Sequence, residues 1–105
     1  MAWVWLAIAG AMEVAWAVGL KHPGAMSRPL VATAVVAAMG ASLYFLWLAM
    51  RTLPLGTSYA VWTGIGTLGT VALGIALYGE STAPLRLGFL ALIVIGITGL
   101  YWVTE

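Results

Sequence analysis

Seven charged residues stand in a chain of 105, and their positions leave it few ways to fold. Lys21, Arg28, Arg51, Glu80, Arg86 and Glu105 fall between or at the ends of long apolar segments, and only Glu13 falls well inside one. The segments are residues 2–20, 29–50, 55–78 and 84–103. A bilayer core about 30 Å thick is crossed by about 20 helical residues at roughly 1.5 Å each. Each segment meets that length, so the expected fold is an all-α membrane protein of four transmembrane helices in a single domain.

Composition points the same way. The chain is 64% hydrophobic and 7% charged, against about 25% charged in an ordinary soluble domain. So few charges cannot solvate a globular surface, and the lipid bilayer is the expected outer solvent. Net charge is +1 with no basic run, so nucleic acid is not an expected partner, because phosphate binding needs clustered Lys and Arg. With no cysteine there is neither a disulfide nor a thiolate metal site. No metal site, nucleophile–base pair or phosphate loop is legible. The expectation is a non-enzyme without a cofactor. Residues 1–20 are read as a retained helix rather than a cleaved secretory signal. No Lys or Arg precedes the apolar stretch, and Glu13 interrupts it.

Pro29 and Pro84 suit the first turn of a helix, where a missing N–H leaves no hydrogen bond unmade. The short loops make neighbouring helices antiparallel. The 21–28 loop and Arg86 put three basic residues on one side of the membrane, against Arg51 and the terminal amine on the other. The positive-inside rule then leans toward external termini, by a margin small enough for mixed orientation.

Glu13 is the residue most in need of an explanation. A carboxylate near mid-bilayer costs about 2.5–3.5 kcal/mol on insertion scales. No Lys or Arg lies at its depth to offset that, since Lys21 is about 12 Å further along the axis. Glu13 is therefore expected to face a water-filled recess, where it can hold a proton or a cation in turn. Trp16, one turn on, offers an aromatic wall for an organic cation. The competing reading is an interfacial belt tryptophan, a role for which Trp3, Trp5, Trp47 and Trp102 lie better placed.

Tyr59, Trp62, Thr63 and Gly66 share one face of the third segment, as part of a site or as ordinary packing. Ser42 is mid-membrane, and a lone serine there commonly bonds its own i−4 carbonyl, here Ala38. Gly64 and Gly66 mark a candidate bend or hinge. Gly88, Gly96 and Gly99 make a small-residue face on the fourth segment, for contacts within one chain or between two copies. His22 and Glu80 read as solvated loop residues, Glu80 near Arg86. Four helices are too few to enclose a recess around Glu13 and still cover their own polar faces. Opposed, inverted halves frame many transport sites, and a chain with no internal repeat achieves that only by pairing copies.

At these residues the chain resembles the small multidrug resistance family. The strongest match is the run LPLGTSYAVWTGIG at residues 53–66, and the next is AGAMEVAWA at 9–17, followed by Leu20 and Lys21. Length, segments and loops match end to end. Within the family it is most similar to the guanidinium exporter subtype, through Trp16 after Glu13, Ser42, and Trp62-Thr63-Gly64. The first loop departs from that subtype, with Gly24-Ala25-Met26 before Ser27-Arg28, and Trp47 and Ser58 are unusual for it.

The resemblance implies a multi-pass protein of a prokaryotic inner membrane that exports guanidinium or small substituted guanidinium cations in exchange for protons. Glu13 would bind proton and substrate alternately. Trp16, Ser42, Tyr59 and Trp62 would line the site, and two copies would assemble as an antiparallel, dual-topology homodimer. The alternatives are an exporter of quaternary ammonium or polyaromatic cations, a non-transporting regulatory subunit, and an ion channel.

Overall fold

The computed structural model describes residues 1–22 and 24–104; Pro23 and Glu105, which the sequence puts in the first loop and at the chain end, lie outside them. Four helices follow one another: α1 (Ala2–Lys21), α2 (Pro29–Met50), α3 (Leu55–Tyr78) and α4 (Pro84–Val103). All four are long and apolar enough to cross a membrane, and no strand occurs among the described residues. The protein is an all-α, four-span membrane protein.

The helix ends follow local chemistry. Pro29 and Pro84 occupy first-turn positions of α2 and α4, where no intrahelical N–H is needed. Gly79 ends α3 in the left-handed region, at φ 63° and ψ 31°, a conformation that penalises a Cβ. That turn folds the chain back, and the Glu80 backbone N–H donates to the Gly74 carbonyl at 3.3 Å. A single 3₁₀ turn, Ala25–Ser27, bridges α1 and α2.

Packing is uneven. α1 lies chiefly against α2 and next against α3, whereas α4 packs on α3. The core is Leu6, Ala9, Leu46, Ala49, Leu53, Val61 and Trp62, gathered in the half of the molecule nearest the α2–α3 connection. α4 contributes no buried residue, and its Ile97 and Leu100 touch this core from outside. The principal extents are 43 × 35 × 16 Å, so the helices form a slab rather than a closed ring. The aromatic residues near the helix ends contact one another: Trp3 meets Tyr101 edge-on at 4.9 Å, and Trp5 stacks on Phe45 at 5.6 Å. Exposed Trp47 lies under the Arg51 guanidinium at 5.4 Å.

Candidate functional site

Glu13 leaves α1 toward α3, and Gly66 is what admits it. A methyl group at Gly66 would overlap the Glu13 carboxyl group. The two residues belong to different helices, and α1 can come this close only because position 66 has no side chain. Glu13 Oε1 is buried and has no hydrogen-bond partner among the described residues. Such atoms are rare in native proteins and call for an explanation. No salt bridge to Glu13 occurs among those residues either.

The carboxyl group opens on a recess of about 220 Å³ walled by Trp16, Thr63, Gly66, Thr67 and Thr70. The Trp16 indole N–H is also buried with no partner among the described residues, and this tryptophan walls the recess beside the carboxylate. The three threonines each give their hydroxyl proton to a carbonyl of α3: Thr63 to Tyr59 at 2.8 Å, Thr67 to Thr63 at 2.7 Å and Thr70 to Thr67 at 3.0 Å. A hydroxyl has one proton and two lone pairs. With the proton committed to the backbone, each Oγ1 can only accept. The threonine wall of the recess therefore offers acceptors, which suits a guest rich in donors.

Ser42 behaves differently from the expectation. Its hydroxyl donates to the Ala9 carbonyl of α1 at 2.7 Å, not to Ala38, and accepts from the Trp62 indole N–H at 3.0 Å. Ala9 is one turn before Glu13, and its carbonyl also receives the Glu13 backbone N–H in regular helix geometry. Ser42 thus fastens the turn that carries Glu13 and leaves the Glu13 side chain untouched. Trp62 is buried by this bond, and exposed Tyr59 leans on it with ring centroids 5.6 Å apart. The five residues picked out by the sequence therefore fall in two groups. Glu13 and Trp16 share the recess, while Ser42, Trp62 and Tyr59 form a braced chain beside it.

Helix α3 is continuous through Gly64 and Gly66, and both glycines mark close contacts with neighbouring helices. A Cβ at Gly64 would lie 2.5 Å from Cδ1 of Ile97 on α4. Gly88, Gly96 and Gly99 are the reverse case, because a Cβ on any of them would meet nothing within 4 Å. Among the described residues no side chain fills the space beside them. Ser58 is fully buried, and its hydroxyl has no partner among the described residues. Thr67 and Thr70 were not singled out in the sequence. Continuing the Thr63 face by four and then three residues reaches both.

An apolar four-helix chain with one intramembrane carboxylate in a recess walled by threonines and a tryptophan has the makings of a small cation-handling membrane protein. Comparison with known proteins supplies the family. A model described as "Small Multidrug Resistance protein" matches residues 1–93, and the chain belongs to the small multidrug resistance family, as a multi-pass protein of the bacterial inner membrane. It is 55% identical over 100 residues to a guanidinium exporter of Escherichia coli O6:H1, covering 95% of each chain. It is 53% identical to one from Citrobacter freundii, again over 95% of each chain. A third, from Yersinia pseudotuberculosis, is 52% identical over 95% of this chain and 96% of its own.

Proposed function

We propose that this protein is a transporter, not an enzyme, that exports guanidinium or a small substituted guanidinium in exchange for protons, with Glu13 as the shared site. The observation that carries the reading is the unpartnered Glu13 carboxyl oxygen in a recess whose threonines can only accept. Relatives named guanidinium exporters, more than half identical over nearly the full length, support it.

Deprotonated Glu13 takes paired hydrogen bonds from the planar cation, a geometry that a carboxylate and a guanidinium share. The face of Trp16 offers a stacking surface. A proton arriving at Glu13 removes the negative charge, and the cation leaves. A quaternary ammonium has no N–H to give the threonines, so this lining favours the guanidinium reading over that alternative. No cofactor enters the cycle; protons are the coupling ion.

The working unit in this reading is a homodimer of oppositely oriented copies. One slab leaves its Glu13 recess open at the side, and a second copy would close it. The bare glycine face of α4, with Gly88, Gly96 and Gly99, is the proposed contact. Gly64 and Gly66 would serve alternating access by letting α4 and α1 slide on α3.

Uptake of labelled guanidinium into proteoliposomes under an imposed pH gradient tests this directly. The wild-type protein should concentrate the cation, with apparent affinity weakening as pH falls and protons compete for Glu13. Glu13→Gln should fold and insert but lose coupled exchange. Proton-driven exchange by the Glu13→Gln protein would refute the assignment.

A further inference from the structure

Glu13 is not the only carboxylate seated on a glycine of α3. Eight residues further along, Glu80 folds back so that its carboxyl group covers Gly74. A Cβ there would lie 2.7 Å from the Glu80 Cδ. The two seats are about 12 Å apart along the helix axis. Glu80 lines a second recess, of about 370 Å³, with Lys21, Thr70, Gly74, Tyr78 and Arg86. That recess shares Ala17 and Thr70 with the one around Glu13. Thr67 and Thr70 lie between the two carboxylates on α3, and Thr70 lines both recesses, so acceptors continue from one to the other.

Glu80 already holds a guanidinium. Arg86 Nη2 donates to Glu80 Oε1 at 3.3 Å, and Arg86 Nη1 donates to the Ser81 carbonyl. Both side chains are about one third exposed, 33% for Arg86 and 35% for Glu80. A pair this open to water stabilises little, so exchanging the partner of Glu80 is an easy step. The Arg86 head group meets the carboxylate through one nitrogen only, whereas a free guanidinium can give it a paired set of N–H donors.

We infer that Glu80 is a second, outer guanidinium site, held in the unloaded protein by Arg86 as a tethered stand-in for the cargo. The inference rests on the transport reading above and adds a stage to it. Cargo displaces Arg86 from Glu80, then passes along Thr70 and Thr67 to Glu13, or leaves by the reverse route. Lys21 on the same wall leaves the recess with two basic groups against one acidic group. That keeps the outer site weak, as a station on a path has to be.

The test reads the Michaelis constant for guanidinium uptake in two variants with opposite expected signs. Arg86→Lys keeps the positive charge that helps orient the chain but loses the second nitrogen by which Arg86 spans the Ser81 carbonyl and Glu80, so it should release Glu80 and lower KM by roughly threefold, the scale of a weak exposed pair. Glu80→Gln should raise KM by about as much, with wild-type behaviour in size-exclusion chromatography. The double variant should follow Glu80→Gln. A merely structural ion pair would give both single variants the same direction, in yield and in KM. Shifts of the same sign, or an unmoved KM in Arg86→Lys, overturn the outer site even where the wild-type protein transports. Arg86→Lys decides the matter alone should Glu80→Gln fail to fold. A wild-type protein that moves no guanidinium refutes the transport reading, and this inference falls with it.

Discussion

Helices α3 and α4 carry the same small-residue signature and use it in opposite ways. On α3 the glycines at 64, 66, 69 and 74 each receive a side chain from elsewhere: Ile97, Glu13, Val14 and Glu80. On α4 the glycines at 88, 96 and 99 receive nothing. α3 contributes six buried residues and α4 none. A glycine in a membrane helix therefore has no single meaning. It is a socket where a neighbour's side chain fills it, and an open face where the neighbour is missing.

The largest effect should come from spoiling the socket under Glu13. Gly66→Ala would push the carboxyl group out of its seat. A displacement of roughly 1 Å at a reacting group can cost about 100-fold in rate, and guanidinium uptake should fall on that scale while helix content by circular dichroism stays the same. Uptake within about twofold of wild type, far inside that range, would mean that the socket does not set the position of Glu13.

A smaller effect is expected where the socket holds only an apolar side chain. Gly64→Ala would crowd Ile97 and loosen α4 from α3. Overpacking of this kind costs about 1–3 kcal/mol, to be read as a lower midpoint in detergent-induced unfolding. The smallest effect on the fold belongs to α4. The added methyl of Gly88→Ala or Gly96→Ala meets no neighbouring element among the described residues, so monomer stability should stay within about 0.5 kcal/mol. The open face then becomes the discriminating observation. Gly96→Leu should leave the monomer intact and lower the cross-linked dimer fraction. Unchanged cross-linking would place the dimer contact elsewhere.

Several features were legible before any coordinates. The four spans follow from length and charge position alone, because a bilayer admits few other folds for such a chain. Glu13 stood out because an unpaired intramembrane carboxylate needs a reason. Ser42 was harder. Its bond to Ala9, 33 positions away in sequence, depends on how closely α2 lies against α1, and helical spacing within α2 carries no trace of it. The same holds for Glu80, which reads as an ordinary loop charge until the Gly79 turn folds it over Gly74.

What the sequence determined by itself is the list of elements and the one residue that violates their chemistry. Apolar runs of spanning length, proline at helix starts and a lone buried acid are properties of local order and of the solvent, so they need no knowledge of neighbours. What only the tertiary structure decided is which small residues are filled and which face outward. That choice depends on interhelical distances of a few ångströms. It separates Gly66, which seats Glu13, from Gly96, which seats nothing, although both are glycines on an apolar helix. The physical reason is that a glycine specifies only the removal of a side chain. The occupant of the space is chosen by the helix that packs against it.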